Sequence, residues 1–208
     1  MIGFYNYTVV LTYIGASCAI FGMFHAMEGN ISWAMLFLMF AGLCDMFDGT
    51  VAKTRKRTVQ EKRFGIQIDS LSDLICFGVL PTIIGYNLGM KNHVVYYIIL
   101  VMFTLCALIR LAYFNVMEEE RQQTTGGPRV YYEGLPVTNV ALILPVLYSF
   151  RRFIGLGNFT VVYAIALALI AIAFVIKFRM VKLKMRGMLV ILALGIVELI
   201  WFLMEFNV

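Results

Sequence analysis

The chain has 208 residues, of which 62% are hydrophobic and only 14% are charged. A soluble domain of this length is closer to half apolar and a quarter charged, so the composition excludes an ordinary soluble protein and indicates an integral membrane protein. The formal net charge of +5 does not indicate a nucleic-acid-binding protein, because the basic residues cluster at the ends of apolar segments.

Seven apolar segments follow one another along the chain. A helix needs about 20 apolar residues to cross the hydrocarbon core, and these segments lack the two-residue alternation of membrane barrel strands. We therefore predict an all-α polytopic integral membrane helical bundle with six to seven transmembrane helices, built as a single membrane domain from residues 1–208. The predicted spans are 7–27, 31–52, 66–89, 93–117, 136–153, 158–177 and 187–207.

Basic residues predict the orientation of the chain in the bilayer. They concentrate in the segments 53–65, 118–135 and 177–186, which seven spans would place on one side of the membrane. Cytoplasmic loops carry an excess of Lys and Arg. We therefore expect a multi-pass protein of the cell (plasma or inner) membrane, with its N-terminus and these three segments in the cytoplasm.

Four aspartates lie at the facing ends of the second and third predicted spans: Asp45, Asp48, Asp69 and Asp73. Spacings of three and four residues place each pair on one face of its helix. Both pairs should lie at similar depth, because a cytoplasmic loop joins the two helices, and within roughly two turns of the cytoplasmic surface. Four carboxylates at membrane depth repel one another and lose hydration, so they need protons or about two divalent cations. Ligands made only of oxygen suit Mg²⁺, Mn²⁺ or Ca²⁺.

Gly49 directly follows the second aspartate. A glycine inside a membrane helix permits either close helix packing or the approach of a ligand to the backbone, and beside two acids we expect the ligand. A hard-metal site near a basic loop predicts metal-dependent phosphoryl-type transfer on a lipid. The alternatives are a proton relay, a capped helix end and a cation transporter. A transporter would also need acids or broken helices in the outer half of the membrane.

The stretch from Asp45 to Asp73 resembles the signature of the CDP-alcohol phosphotransferases, D-x2-D-G-x2-A-R-x8-G-x3-D-x3-D. Here the chain reads DMFDGTVAK, then eleven residues, then GIQIDSLSD. Lys53 stands where the signature has arginine, and the spacer is three residues longer. Arg55 or Arg57 could supply the missing guanidinium.

Within that family the chain is most similar to the phosphatidylserine synthases, in the runs DSLSDLICFGVLP (69–81), IRLAYFN (109–115) and YEGLPVTN (132–139). The resemblance implies transfer of the phosphatidyl group from CDP-diacylglycerol to L-serine, with release of CMP, by a homodimer in the lipid bilayer. It implies two ions, Mg²⁺ or Mn²⁺ with Ca²⁺ as an inhibitory substitute, and a general base at Asp73. The implied metal ligands are Asp45, Asp48, Asp69 and Asp73.

The resemblance also implies a site for the CDP group, formed by Asp48, Gly49, Ala52, Lys53, Gly65 and Thr8. Asn6 or Thr8 could equally cap the first helix. Serine is a zwitterion, and the basic residue well inside a span, Arg110, is our candidate for its carboxylate; pairing of this arginine with an aspartate, or its extension to the headgroups, is the alternative. Asn115 and Glu133 are further acceptor candidates. An acceptor such as glycerol 3-phosphate or an inositol phosphate would need a larger basic cluster.

Overall fold

The protein is described here from a computed structural model, over residues 3–124, 131–181, 193, 195–202 and 204. These residues are almost entirely helical, which confirms the all-α membrane bundle. The helices are α1 Val10–Met27, α2 Ile31–Ala52, α3 Val59–Asp73, α4 Leu80–Asn87, α5 Val94–Thr124, α6 Val140–Ser149, α7 Arg151–Ile154 and α8 Leu156–Val175. Residues 195–202 are also helical.

Within the described part of the chain, five helical stretches are long and apolar enough to cross a membrane: Tyr7–Met27, Ile31–Ala52, Val59–Asn87, Val94–Glu120 and Gly157–Val175. The first two coincide with the predicted spans. The fifth predicted span, 136–153, is instead a shorter apolar helix, Val137–Ser149, followed by α7. Much of the seventh predicted span, 187–207, lies outside the described residues.

The third span begins earlier than predicted, at Val59 rather than at residue 66. The reason is local: the Thr58 side chain accepts the backbone N–H of Glu61, and the Glu61 side chain accepts the backbone N–H of Thr58. This capping box satisfies two N–H groups that the first helical turn leaves without partners. The loop between α2 and α3 is therefore short, and half of the predicted loop 53–65 is helix.

A π-helix, Leu74–Val79, joins α3 to α4 and begins directly after Asp73. It ends with a bond from the backbone N–H of Leu80 to the carbonyl of Ile75. A π-helical turn inside a membrane helix changes the direction of the side chains that follow it, and such turns are frequent at functional sites. The third span is therefore continuous but not regular.

The bundle core forms where α4, α5 and α8 meet, around the fully buried rings of Phe77, Phe103, Tyr163 and Phe174. On the other side, α2 approaches α6 very closely at Gly42, where an added Cβ would lie 2.5 Å from the Cβ of Ala141. Large apolar side chains remain exposed on the outer faces of α1, α5 and α8, as expected of a multi-pass membrane protein.

A two-stranded antiparallel ribbon pairs β1, Tyr131–Glu133, with β2, Arg179–Val181. Both strands lie in segments predicted as loops. Gly134 follows β1 with a φ of +74°, and an added Cβ there would meet the carbonyl of Ile176 at 3.2 Å. The ribbon thus ties the chain that leads into α6 to the end of α8.

Candidate active site

The four predicted aspartates meet at one end of the bundle, where Asp45 and Asp48 lie near the end of α2 and Asp69 and Asp73 lie at the end of α3. Carboxylate oxygens of Asp45, Asp48 and Asp69 lie within 4.8 Å of one another. The carboxyl of Asp73 lies against that of Asp45, and the carboxyl of Asp69 against that of Asp48. Asp48 is buried and the other three are half-buried. The two helical pairs predicted from their spacing therefore form one cluster, called the aspartate cluster below.

Helix α1 supports this cluster through Thr12, whose hydroxyl donates to Oδ2 of Asp48 over 3.2 Å. The backbone carbonyl of Thr12 accepts a hydrogen bond from Ser72, the residue before Asp73, over 3.3 Å. One buried threonine thus connects α1 to both acidic helices. The sequence showed a threonine in the first span but gave no sign that it faces an aspartate.

The cluster fits a divalent cation by the chemistry of its donors. Four carboxyl groups converge from two helices, and an oxygen-only ligand set is the set that Mg²⁺, Mn²⁺ and Ca²⁺ prefer. Buried carboxylates this close repel one another unless a cation or protons neutralise them. The residues present can therefore hold a hard divalent metal.

The residues predicted to bind the nucleotide differ in how much free space surrounds them. An added Cβ on Gly49 would meet nothing within 4 Å among the described residues, so close helix packing does not explain this glycine. Ala52 ends α2 and Lys53 caps it, with an exposed side chain. Gly65 lies one turn before Asp69, and an added Cβ there would meet the guanidinium of Arg57 at 3.0 Å.

Thr8 differs from these residues because it is only 3% exposed. Its backbone N–H and its hydroxyl both donate to the side-chain oxygen of Asn6, which caps the first helical turn. The structure thus shows the helix cap that was the alternative interpretation of this segment. A role for Thr8 in nucleotide binding stays a prediction, and Thr12, one turn later, is the threonine that contacts the cluster.

Arg110 is buried, with 5% of its surface exposed. Its Nε donates to the carbonyl of Leu135 over 3.3 Å, and its guanidinium lies 5.5 Å from the centre of the Phe114 ring. It lines a cavity of about 130 Å³ together with Tyr113, Phe174 and Lys177. The arginine is therefore fixed inside the bundle and does not extend to the headgroups.

Asn115 does not line this cavity. Asn115 accepts a hydrogen bond from Ser70 of α3 over 2.8 Å and lines a separate cavity of about 330 Å³ with Lys62 and Arg63. Glu133 is the last residue of β1, opposite Arg179 in the ribbon register, and its side chain lies outside the described residues. Arg110 and Asn115 therefore line different cavities, and a role for Glu133 stays a prediction.

An apolar cavity of about 200 Å³ begins at Asp45 and runs between α2, α6 and the last helix. Its lining includes Leu43, Asn139, Ala141 and Leu199. A carboxylate cluster next to an apolar cavity suits a ligand with a charged head and an apolar chain. The sequence did not predict this cavity, because it depends on how closely three separate helices pack.

A sequence model of the CDP-alcohol phosphatidyltransferase family matches residues 5–208. The chain is 39% identical over 125 residues to a CDP-diacylglycerol–serine O-phosphatidyltransferase of Saccharomyces cerevisiae, covering 59% of this chain and 44% of that protein. It is 28% identical over 162 residues to an archaetidylserine synthase of Methanothermobacter thermautotrophicus, covering 78% and 66%. It is 27% identical over 132 residues to a CDP-diacylglycerol–serine O-phosphatidyltransferase of Bacillus subtilis, covering 62% and 72%.

The chain spans less than two thirds of the length of the yeast and archaeal relatives, at 44% and 66%. The family match, by contrast, covers nearly the whole chain. It confirms the resemblance that the aspartate motif carries, and the chain belongs to the CDP-alcohol phosphatidyltransferase family.

Proposed function

We propose that this protein is a phosphatidylserine synthase, which transfers the phosphatidyl group from CDP-diacylglycerol to L-serine and releases CMP. The observation that carries the proposal is the convergence of Asp45, Asp48 and Asp69, with Asp73 beside them, next to an apolar cavity. The yeast and Bacillus subtilis relatives are CDP-diacylglycerol–serine O-phosphatidyltransferases, and we infer serine as the acceptor from them.

In this reaction the serine hydroxyl attacks the phosphorus on the lipid side of the diphosphate, and the bond to CMP breaks. Asp73 takes the proton of the attacking hydroxyl as general base. Asp45, Asp48, Asp69 and Asp73 would hold two divalent ions, Mg²⁺ or Mn²⁺, with Ca²⁺ as an inhibitory substitute. Bound ions of this kind neutralise the charge of the diphosphate and its leaving group.

The substrates are assigned to different surfaces around the cluster. The CDP group lies along α2 at Asp48, Gly49, Ala52 and Lys53, where the open space beside Gly49 gives it room. The apolar cavity beside Asp45 gives room to an acyl chain of the lipid. Arg110 binds the serine carboxylate, with Asn115 and Glu133 as further candidates, and Gly65 and Thr8 remain candidates for the CDP group.

We place the N-terminus and the site on the cytoplasmic side of the cell membrane, because the loop next to the site is strongly basic. The domain comprises residues 1–208 and acts as a homodimer. Labelling of a cysteine introduced at Lys56 from one side of the membrane tests the orientation. Cross-linking in membranes tests the dimer.

The activity is tested by CMP release from purified protein and CDP-diacylglycerol in detergent, with Mn²⁺, Mg²⁺ or EDTA. The acceptors are serine, glycerol 3-phosphate and inositol 1-phosphate, and Asp73→Asn is the matched inactive variant. We expect metal-dependent release with serine alone. Release only with another acceptor would overturn the assignment of serine, and folded protein that releases CMP with none of them would overturn the proposed activity.

The name of the archaeal relative gives a specific reason to test a second lipid, since that protein is an archaetidylserine synthase. The same assay with the ether-linked CDP-archaeol compares the two lipid classes directly. We expect faster release from CDP-diacylglycerol. A clear preference for CDP-archaeol would keep the reaction and change the lipid.

A further inference from the structure

The loop between α2 and α3 departs from the family signature in two ways, and the structure shows how it folds. Lys53 replaces the signature arginine, and the spacer that follows is three residues longer. Because α3 begins at Val59, the second half of the spacer is helix, and only the residues up to Thr58 form the loop. Two arginines of that loop, Arg55 and Arg57, lie in different surroundings.

Arg55 is held by the protein itself. Its guanidinium lies 3.8 Å from Oε1 of Glu61 and 6.0 Å from the centre of the Tyr7 ring. Glu61 also accepts a hydrogen bond from the Asn6 side chain over 3.2 Å, in addition to its bond to the backbone of Thr58. Arg55 therefore belongs to a contact that fastens the N-terminal segment to the start of α3.

Arg57 has no such partner among the described residues. No carboxylate there lies within ion-pair distance of it, although its side chain is half-buried. Its Nη1 lies 3.0 Å from the position that a Cβ on Gly65 would occupy. The guanidinium thus rests on the backbone of α3 at a position where any side chain would crowd it.

The place of this guanidinium relative to the aspartate cluster follows from helix geometry. Gly65 and Asp69 are four residues apart and share one face of α3. Four residues correspond to a rise of about 6 Å, so the guanidinium lies about one turn above Asp69, toward the loop. A diphosphate bound at the cluster would extend over such a distance.

We propose that Arg57 takes the place of the signature arginine and binds the diphosphate of the CDP-lipid above Asp69. A guanidinium can donate two parallel hydrogen bonds to phosphate oxygens, whereas the exposed Lys53 offers only a point charge. The longer spacer carries this arginine back over α3, and Gly65 leaves the space for it. The proposal rests on the proposed function, because that function supplies a CDP-lipid as the ligand.

The test is a calorimetric titration of the full-length protein in detergent with CDP and Mn²⁺, which needs no acceptor. We expect Arg57→Ala to weaken CDP binding about tenfold or more, as for the loss of hydrogen bonds to a charged group. Arg55→Ala removes the same charge from the same loop and should change the affinity less than threefold. Lys53→Arg in the Arg57→Ala background should restore most of the lost affinity.

Thermal unfolding of each variant shows whether it is folded, and Arg57→Lys serves as a second, milder variant that we expect to bind CDP more weakly than wild type. The proposal is overturned if folded Arg57→Ala binds CDP as wild type does, or if the Arg55 and Arg57 variants lose affinity equally. These results differ from a failure of the proposed function, which would show in the wild-type protein as a lack of serine-dependent CMP release.

Discussion

Replacement of Thr12 by valine removes one hydrogen bond from the aspartate cluster while nearly preserving the shape of the side chain. Thr12 and Asp48 are only 7% and 9% exposed, so water cannot readily replace the lost donor. A hydrogen bond to a charged group contributes about 1.5–3 kcal/mol, and 1.4 kcal/mol corresponds to about tenfold in affinity. The 3.2 Å separation is long for a hydroxyl donor. We therefore expect the lower part of this range, which is about tenfold weaker Mn²⁺ binding.

The assay is a Mn²⁺ titration of the purified protein, followed by electron paramagnetic resonance of the free ion and by thermal unfolding. Thr12→Ser keeps the hydroxyl and should bind Mn²⁺ nearly as wild type does. Ser17→Ala is the matched control on the same helix, because that hydroxyl is exposed and donates only to the carbonyl of Tyr13. Wild-type Mn²⁺ affinity in Thr12→Val, or equal losses in the valine and serine variants, would refute the reasoning.

Five further substitutions test the site. Gly42→Ala should destabilise the protein by about 1–3 kcal/mol through overpacking, since its Cβ would lie 2.5 Å from a methyl group of α6. Gly49→Ala should keep the melting temperature and weaken CDP binding. A lower melting temperature for Gly49→Ala, with unchanged stability for Gly42→Ala, would contradict both roles. Asp73→Asn should abolish CMP release and retain most CDP-lipid binding, and retained turnover would exclude it as the base. Arg110→Ala should raise the KM for serine far more than that for CDP-lipid, and Asn115→Ala should raise it less; equal effects of Arg110→Ala on both substrates would indicate a structural role.

The positions of the four aspartates could be predicted from the sequence because they depend on short-range regularities. Spacings of three and four residues fix one face of a helix, and a loop on one side of the membrane places the adjoining ends of two neighbouring helices at similar depth. Asp45 and Asp69 were therefore expected to lie close to one another in the folded protein. The spans 7–27 and 31–52 were correct because long apolar runs with a glycine-containing turn between them leave little choice.

The start of α3 was also present in the sequence but was missed. Thr58 and Glu61 have the spacing of a capping box, which predicts a helix start there. The residues after them were nevertheless interpreted as a loop, because they are polar. A membrane helix can extend beyond the hydrocarbon core with polar residues, so hydropathy alone places the start of α3 too late in the chain. The error affected the prediction of the site, because a loop through residue 65 gives no reason to expect Arg57 to lie against Gly65.

The relation between Arg110 and Asn115 could not be read from their proximity in the sequence. Five residues along a helix correspond to a rotation of about 140° between side chains. Arg110 accordingly contacts the segment before α6, through Leu135, while Asn115 contacts α3, through Ser70. A helix between two neighbours presents a different polar residue to each, and which of them meets the substrate depends on packing that no local pattern encodes.

Gly42 and Gly49 show how the length of α6 shapes the site. They are seven residues apart, which places them on the same face of α2 about 10 Å from one another. Gly42 packs under Ala141, in the first turn of α6, whereas none of the described residues lies close to Gly49. The segment before α6 is paired with the segment after α8, where the N–H of Gly134 bonds to the carbonyl of Phe178. Because α6 begins beside Gly42, the described residues leave the face of α2 at Gly49 open beside the aspartate cluster.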